Sequence, residues 1–142
     1  MSLQALREAP PAQVLPGSKT WAGDGAAVRS LCRPLGPRCG LLQIRTAAEY
    51  TRVARTLGLP TEPPDLDRGT LIGLVSWAGS PCTGRKPIRI ESVRLVEGGG
   101  LLRADFEGGT YHPDGRAFVE TAFVPGLVAV LVVDLGGNTF FP

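Results

Sequence analysis

The stretch TLIGLVSW, residues 70–77, decides the fold. It is apolar almost throughout and too short for a buried helix. A strand that shows no polar alternation has to hide both of its faces. Residues 70–77 are therefore expected to be the central strand of a sheet that is covered on each side.

Upstream lies PTEPPDLDRG, residues 60–69, a linker rich in proline and acid. Before the linker, TAAEYTRVARTLG carries the one clear helical signal. Tyr50, Val53, Ala54 and Leu57 recur at i, i+3, i+4 and i+7. Thr46 and Glu49 have capping-box spacing, Gly58 supplies a stop, and Pro60 lies just beyond. The spacing predicts a helix over 47–57. LLQI, residues 41–44, reads as a short apolar strand that leads into it.

Downstream, residues 87–96 begin with Ile88 and Ile90 facing inward, and the phase then moves to Val93 and Leu95. Such a slip is what a β-bulge produces. The glycine run Glu97-Gly98-Gly99-Gly100 turns the chain. Leu102, Ala104 and Phe106 alternate with Arg103, Asp105 and Glu107, a half-exposed strand. Residues 117–124 form another strand, and Val124-Pro125-Gly126-Leu127 fits a type II turn. The last strand, 127–135, is stopped by Gly136-Gly137-Asn138 and followed by a tail, TFFP. Residues 1–21 read as an extended, proline-rich arm, and 22–142 as one domain. The expected class is α+β, with one helix packed on a mostly antiparallel β-sheet.

A chain of 142 residues suits one domain that folds without a staple. Its 15 basic and 13 acidic residues leave a net charge of +2. The arginines are scattered, with no clustered basic face of the kind nucleic-acid binders carry. No apolar run is long enough for a membrane-spanning helix. MSLQALREAPP lacks a signal-peptide layout, so any export signal would lie outside this chain.

Chemistry-bearing residues are few. Gly79-x4-Gly84-Arg85-Lys86 has the glycines of a phosphate loop. It lacks the Lys-Ser/Thr pair, and a strand follows it where the anion would need a helix N-terminus. Cys82 stands near two cations that would lower a thiol pKa. The base it would need, His112, is the sole histidine and sits in a separate loop. The plainest reading of residues 78–87 is a hairpin connection made of Gly, Ser, Pro and Thr. Cys32 and Cys39 flank a turn-forming RPLGPR and are a candidate disulfide, which would imply an oxidising compartment. Cys-x6-Cys is not a zinc spacing, and no metal or cofactor is expected. Asp65 and Asp67 read as solvated linker acids. Ser80 belongs to no nucleophile elbow.

The order of motifs over residues 41–135 resembles the small bacterial domain named after the PrcB subunit of a surface protease complex. The matching pieces are the linker Pro63-Pro64-Asp65-Leu66-Asp67 and the loop Gly79-Ser-Pro-Cys-Thr83-Gly84. Beyond them come Ile88-Arg89-Ile90-Glu91-Ser92-Val93 and Glu120-Thr-Ala-Phe123-Val124-Pro125. In that family the loop continues Gly-Gly-Tyr, whereas here Gly84-Arg85-Lys86-Pro87 follows. Gly126 stands where an aromatic is usual. The resemblance implies a non-catalytic module, often exported, that helps to assemble or stabilise a protease complex. Read from this chain's own residues, a protein-binding surface is expected to include Gly79, Thr83, Gly84, Arg85, Lys86, Phe140 and Phe141, with another protein as partner. The alternatives are a thiol-dependent enzyme or redox protein built on Cys82, and a structural domain that self-associates as a homodimer.

Overall fold

The computed structural model describes residues 2–15, 21–36, 39–77, 88–106 and 116–142. In chain order the elements are α1 (Leu3–Glu8), β1 (Trp21–Asp24), α2 (Gly25–Arg29), β2 (Arg33–Gly36), β3 (Cys39–Ile44) and α3 (Ala47–Leu57). There follow β4 (Gly69–Trp77), β5 (Ile88–Val96), β6 (Gly99–Phe106), β7 (Arg116–Pro125), β8 (Val130–Leu135) and β9 (Asn138–Phe140). The strands form two sheets, β1-β7-β4-β3-β2 and β5-β6-β8-β9. Every pair is antiparallel except β6 and β8. The fold is α+β, as the sequence implies, although two sheets and three short helices replace the expected one sheet and one helix.

β4 is central and buried on both faces. Ile72 and Leu74 enter a core shared with Leu41, Val93, Leu102, Val124 and Val133, which lies between the sheets. Leu71 and Val75 enter a second core with Val28 of α2 and with Tyr50, Val53 and Leu57 of α3. The first sheet is thus covered by the second sheet on one side and by helices on the other. On the outer face of the second sheet, Leu6 of α1 packs with Leu101 and Val132.

Local signals behave as their chemistry dictates. Thr46 caps α3 by accepting the Glu49 N–H at 3.2 Å. Glu49 reaches back to the N–H of Arg45, also at 3.2 Å, one residue upstream of the usual capping-box partner. Gly58 ends the helix in the left-handed conformation, φ 67°. The register of β5 against β6 shifts between Ile90 and Ser92, which is the expected bulge. Gly126 has φ 78°, and the Leu127 N–H reaches the Val124 carbonyl at 3.3 Å, closing the type II turn. Gly136 and Gly137, with φ 55° and 89°, form a tight hairpin, and the expected tail becomes β9.

Between β6 and β8 the chain crosses into the other sheet as β7, which is why β8 returns parallel to β6. Two polar contacts, one buried and one half-buried, hold this crossing in place. The Thr70 hydroxyl donates to the Leu127 carbonyl at 2.6 Å, and the Val130 N–H donates to the Gln43 side-chain oxygen at 3.0 Å.

The N-terminal arm packs on the body. Its first part, Leu3–Glu8, is helical where an extended arm was expected, because a six-residue helix is too short to display a repeat. Arg94 on β5 donates to the carbonyls of Arg7 at 3.2 Å and Ala9 at 2.5 Å, at the helix C-terminus where a cation is favoured. The arm then runs extended. The Ala12 N–H binds the Val93 carbonyl at 2.7 Å, and Leu15 exchanges hydrogen bonds with Phe123 at 2.9 and 3.3 Å. The arm therefore ties β5 of the second sheet to β7 of the first by backbone bridges.

Replacing Thr70 by Val should cost about 1–3 kcal/mol, since it leaves the Leu127 carbonyl buried without its donor. Urea denaturation should show a lower midpoint at unchanged slope. Gly69→Ala should also destabilise by about 1–3 kcal/mol, because its added methyl would strike the Val124 backbone carbonyl. An unchanged midpoint in either variant would contradict the packing described.

Candidate functional site

Gly79, Thr83, Gly84, Arg85 and Lys86 lie outside the described residues, as do Cys82 and His112. The strands on either side nevertheless settle one question about the segment. β4 belongs to the first sheet and β5 to the second, and the two do not pair. Residues 78–87 are therefore no β-hairpin connection but a link from the centre of one sheet to an edge of the other. The sequence shows two strands separated by turn-forming residues, and that pattern alone does not distinguish pairing from crossing.

The cysteines correct a second expectation. Cys32 is a free thiol, and Cys39 is disulfide-bonded, so the Cys32–Cys39 bridge is not formed. The cause is the alternation of β3. Cys39 and Leu41 point into the core between the sheets, whereas Leu42 points toward α3. Cys32 lies over Gly40, where an added Cβ would come within 2.6 Å of its own, and it packs with the α3-side core. Its thiol donates to the Val28 carbonyl at 3.2 Å. The two sulfurs thus face opposite sides of one strand pair. Burial pushes the Cys32 thiol up to about 12, so it is a poor nucleophile at neutral pH.

Phe140 and Phe141 divide their roles. Phe140 stands opposite Val133 and packs against the core between the sheets. Phe141 is 71 % exposed. Val128 and Leu131 are also exposed, on the approach to β8 and within it. Leu131 is the extra residue of a register shift, since Gly100 pairs with Val130 and Leu101 with Val132. It rests against Gly99, where any Cβ would collide with it. The sequence does not single out Val128 or Leu131, because an almost wholly apolar strand carries no alternation to show which residue faces water. β9 is the terminal strand of its sheet, and it carries neither proline nor charge to guard its edge.

A cleft of about 430 Å³ opens beside α3, lined by Tyr50, Leu59, Pro60, Leu71 and Phe123 among others. The Tyr50 hydroxyl donates to the Pro60 carbonyl at 2.5 Å, and burial raises its pKa. The linker acids serve the linker itself. Asp65 accepts the Asp67 N–H at 3.2 Å and meets Arg68 at 3.2 Å, an exposed pair worth little. Among the described residues, no three His, Cys, Asp or Glu side chains gather as a metal site. No helix among them is long and apolar enough to cross a membrane.

No protein-family model, curated protein or solved structure matches this chain.

The Cys32 thiol yields a pH prediction. The folded protein holds this proton more tightly than the unfolded chain, whose thiol titrates near 9.0. The stabilisation is therefore complete below pH 9 and is lost as pH rises toward 12. Cys32→Ala should flatten the fall in stability over that window, measured as urea midpoints against pH. Identical curves for the two proteins would show that the thiol is not buried.

Proposed function

We propose that this chain is a non-catalytic protein-binding module that serves a protease complex, and that it takes its partner on the β8–β9 side of the second sheet. The protease complex enters through the resemblance of residues 41–135 to the PrcB-like domain. The docking side rests on one observation above all, the 71 % exposure of Phe141 beside a terminal strand. A large aromatic in water forgoes about 1.5–3 kcal/mol of burial, and aromatics of this kind are frequent anchors of interfaces. The unguarded edge of β9 offers backbone donors and acceptors to an extended segment of the partner. Phe141, Leu131 and Val128 offer it apolar contact. The partner is thus a protein that presents an extended, partly apolar strand.

The test compares wild type with Phe141→Ser as immobilised bait in extracts of the source cells, read by quantitative mass spectrometry, with sedimentation of both proteins alongside. The serine variant should keep its thermal stability, because the side chain it alters is exposed. A saturable protein partner should be retained by wild type and lost at least about tenfold by the variant, as for removal of an aromatic anchor. Retention of the same proteins by both baits would overturn the docking site. Concentration-dependent self-association that Phe141→Ser abolishes would assign this surface to a homodimer instead.

A further inference from the structure

We infer that the cleft beside α3 is a binding site for a small organic cation, an ammonium or guanidinium group carried on an apolar body. The cleft lies on the helix-covered face of the first sheet, between α3, the linker that follows it, and strands β4 and β7. It stands apart from the docking side proposed above. Its volume of about 430 Å³ falls in the range of roughly 300–1,000 Å³ typical of small-molecule sites.

The chemistry of the wall selects the ligand. Leu59, Leu71 and Phe123 supply apolar surface. Pro60, Pro63 and Pro64 supply carbonyls and no backbone N–H. Their fixed φ angles also hold the rim in shape before anything binds. Donors elsewhere in the wall are spent. The Leu59 N–H goes to the Ala54 carbonyl at 3.2 Å, and the Phe123 N–H to the Leu15 carbonyl at 3.3 Å. The Tyr50 hydroxyl donates to the Pro60 carbonyl, and burial raises its pKa, so at neutral pH its oxygen is left as an acceptor. Thr121 already has a partner of its own. A wall so poor in free donors offers an anion little and suits a ligand that brings its own N–H groups.

Charge points the same way. Among the described residues, Glu62 is the sole charged one lining the cleft, it is exposed, and no cation pairs with it. The linker also carries Asp65 and Asp67, and its one cation, Arg68, is paired with Asp65. A second cleft of equal volume, on another flank of α3, provides the contrast. Glu49 and Arg52 both line it, and the Glu49 carboxylate already accepts the Arg45 N–H. That cleft contains both signs of charge, whereas the cleft at Glu62 contains one. Tyr50 and Phe123 add aromatic surface, on which a cation is better received than an anion.

The probes are benzylamine, n-butylamine and benzylguanidine, set against benzyl alcohol and benzoate, titrated into the isotope-labelled full chain and followed by NMR. At least one of the cations should give saturable shifts confined to residues that line the cleft, and benzoate should give none there. Benzyl alcohol should bind more weakly than benzylamine. Glu62→Gln should keep the urea midpoint, since the side chain is exposed, and should weaken the cation about three- to fivefold, as for loss of an exposed ion pair. Added salt should weaken binding to wild type and leave binding to Glu62→Gln unchanged. Phe141→Ser should bind the cation as wild type does, which separates this site from the docking surface. The absence of saturable shifts at the cleft with every cation, equal affinity for benzyl alcohol, or unchanged affinity in Glu62→Gln would each overturn the inference. Tighter binding of an N-acetylated glycyl-lysyl-glycine amide than of the free amines would overturn the small-molecule assignment and give the cleft to a lysine of a protein partner.

Discussion

Ile72 and Leu74 of β4 point one way and Leu71 and Val75 the other, and neither set can be left in water. Burying a side chain of this kind is worth about 1.5–3 kcal/mol, so either face left bare would cost a large part of a domain's net stability. This constraint dictates the layers. One face is answered by β5, β6 and β8, which contribute Val93, Leu102, Ala104, Val133 and Leu135. The other is answered by the stripe of α3 and by Val28 of α2. Antiparallel sheets commonly leave one side solvated. This one does not, because its central strand carries no polar side to present.

Two sheets packed face to face leave a seam along their edges, and the polar groups along that seam explain much of the remaining architecture. The Thr70 hydroxyl and the Gln43 side chain are spent on the backbone where the chain passes from β7 to β8. Both side chains reach across the interior, so the register between the sheets is set by direction as well as by apolar contact. The N-terminal arm performs a similar task. It binds the backbone of β5 through Ala12 and that of β7 through Leu15, and Arg94 secures the end of the helix that precedes it. Proline in this arm limits its unfolded freedom, which reduces the entropy lost when it is laid down.

The sequence reveals those features whose physics is local. The α3 boundaries follow from Thr46, Glu49 and Gly58, the bulge from the phase slip after Ile90, and the type II turn from Pro125-Gly126. The apolar run 70–77 shows that both faces are hidden, but not by what. A second sheet and a layer of helices satisfy the same pattern, so the division into two sheets is a tertiary outcome. Short elements escape for a related reason. Five residues of α2 and three of β9 contain too few positions to show a period. The cysteine pairing was illegible because nearness along the chain says nothing about which face of a strand a sulfur occupies. Cys32 and Cys39 are close in sequence, and the backbone of Gly40 lies between their sides. Within the candidate surface, Phe140 and Phe141 are conspicuous in the sequence, whereas Leu131 becomes visible only through its place in the register shift.

The two terminal phenylalanines show how one turn can make a surface. With Gly136 and Gly137 both left-handed, β9 is folded back against β8 in a fixed register, Val133 opposite Phe140 and Leu135 opposite Asn138. That register places Phe140 over the core between the sheets. Successive residues of an extended chain point to opposite sides, so a register that buries Phe140 turns Phe141 away from the same core. The pair therefore cannot be read as two equal anchors. One phenylalanine secures β9 to the core, and in doing so it holds the other in solvent on a strand edge that nothing in its own sequence guards. A slip of one residue would exchange the two, but it would also put Asn138 out of register with Leu135 and break the fit of the two-glycine turn. The exposure of Phe141 is thus fixed by the geometry that makes β9 a strand.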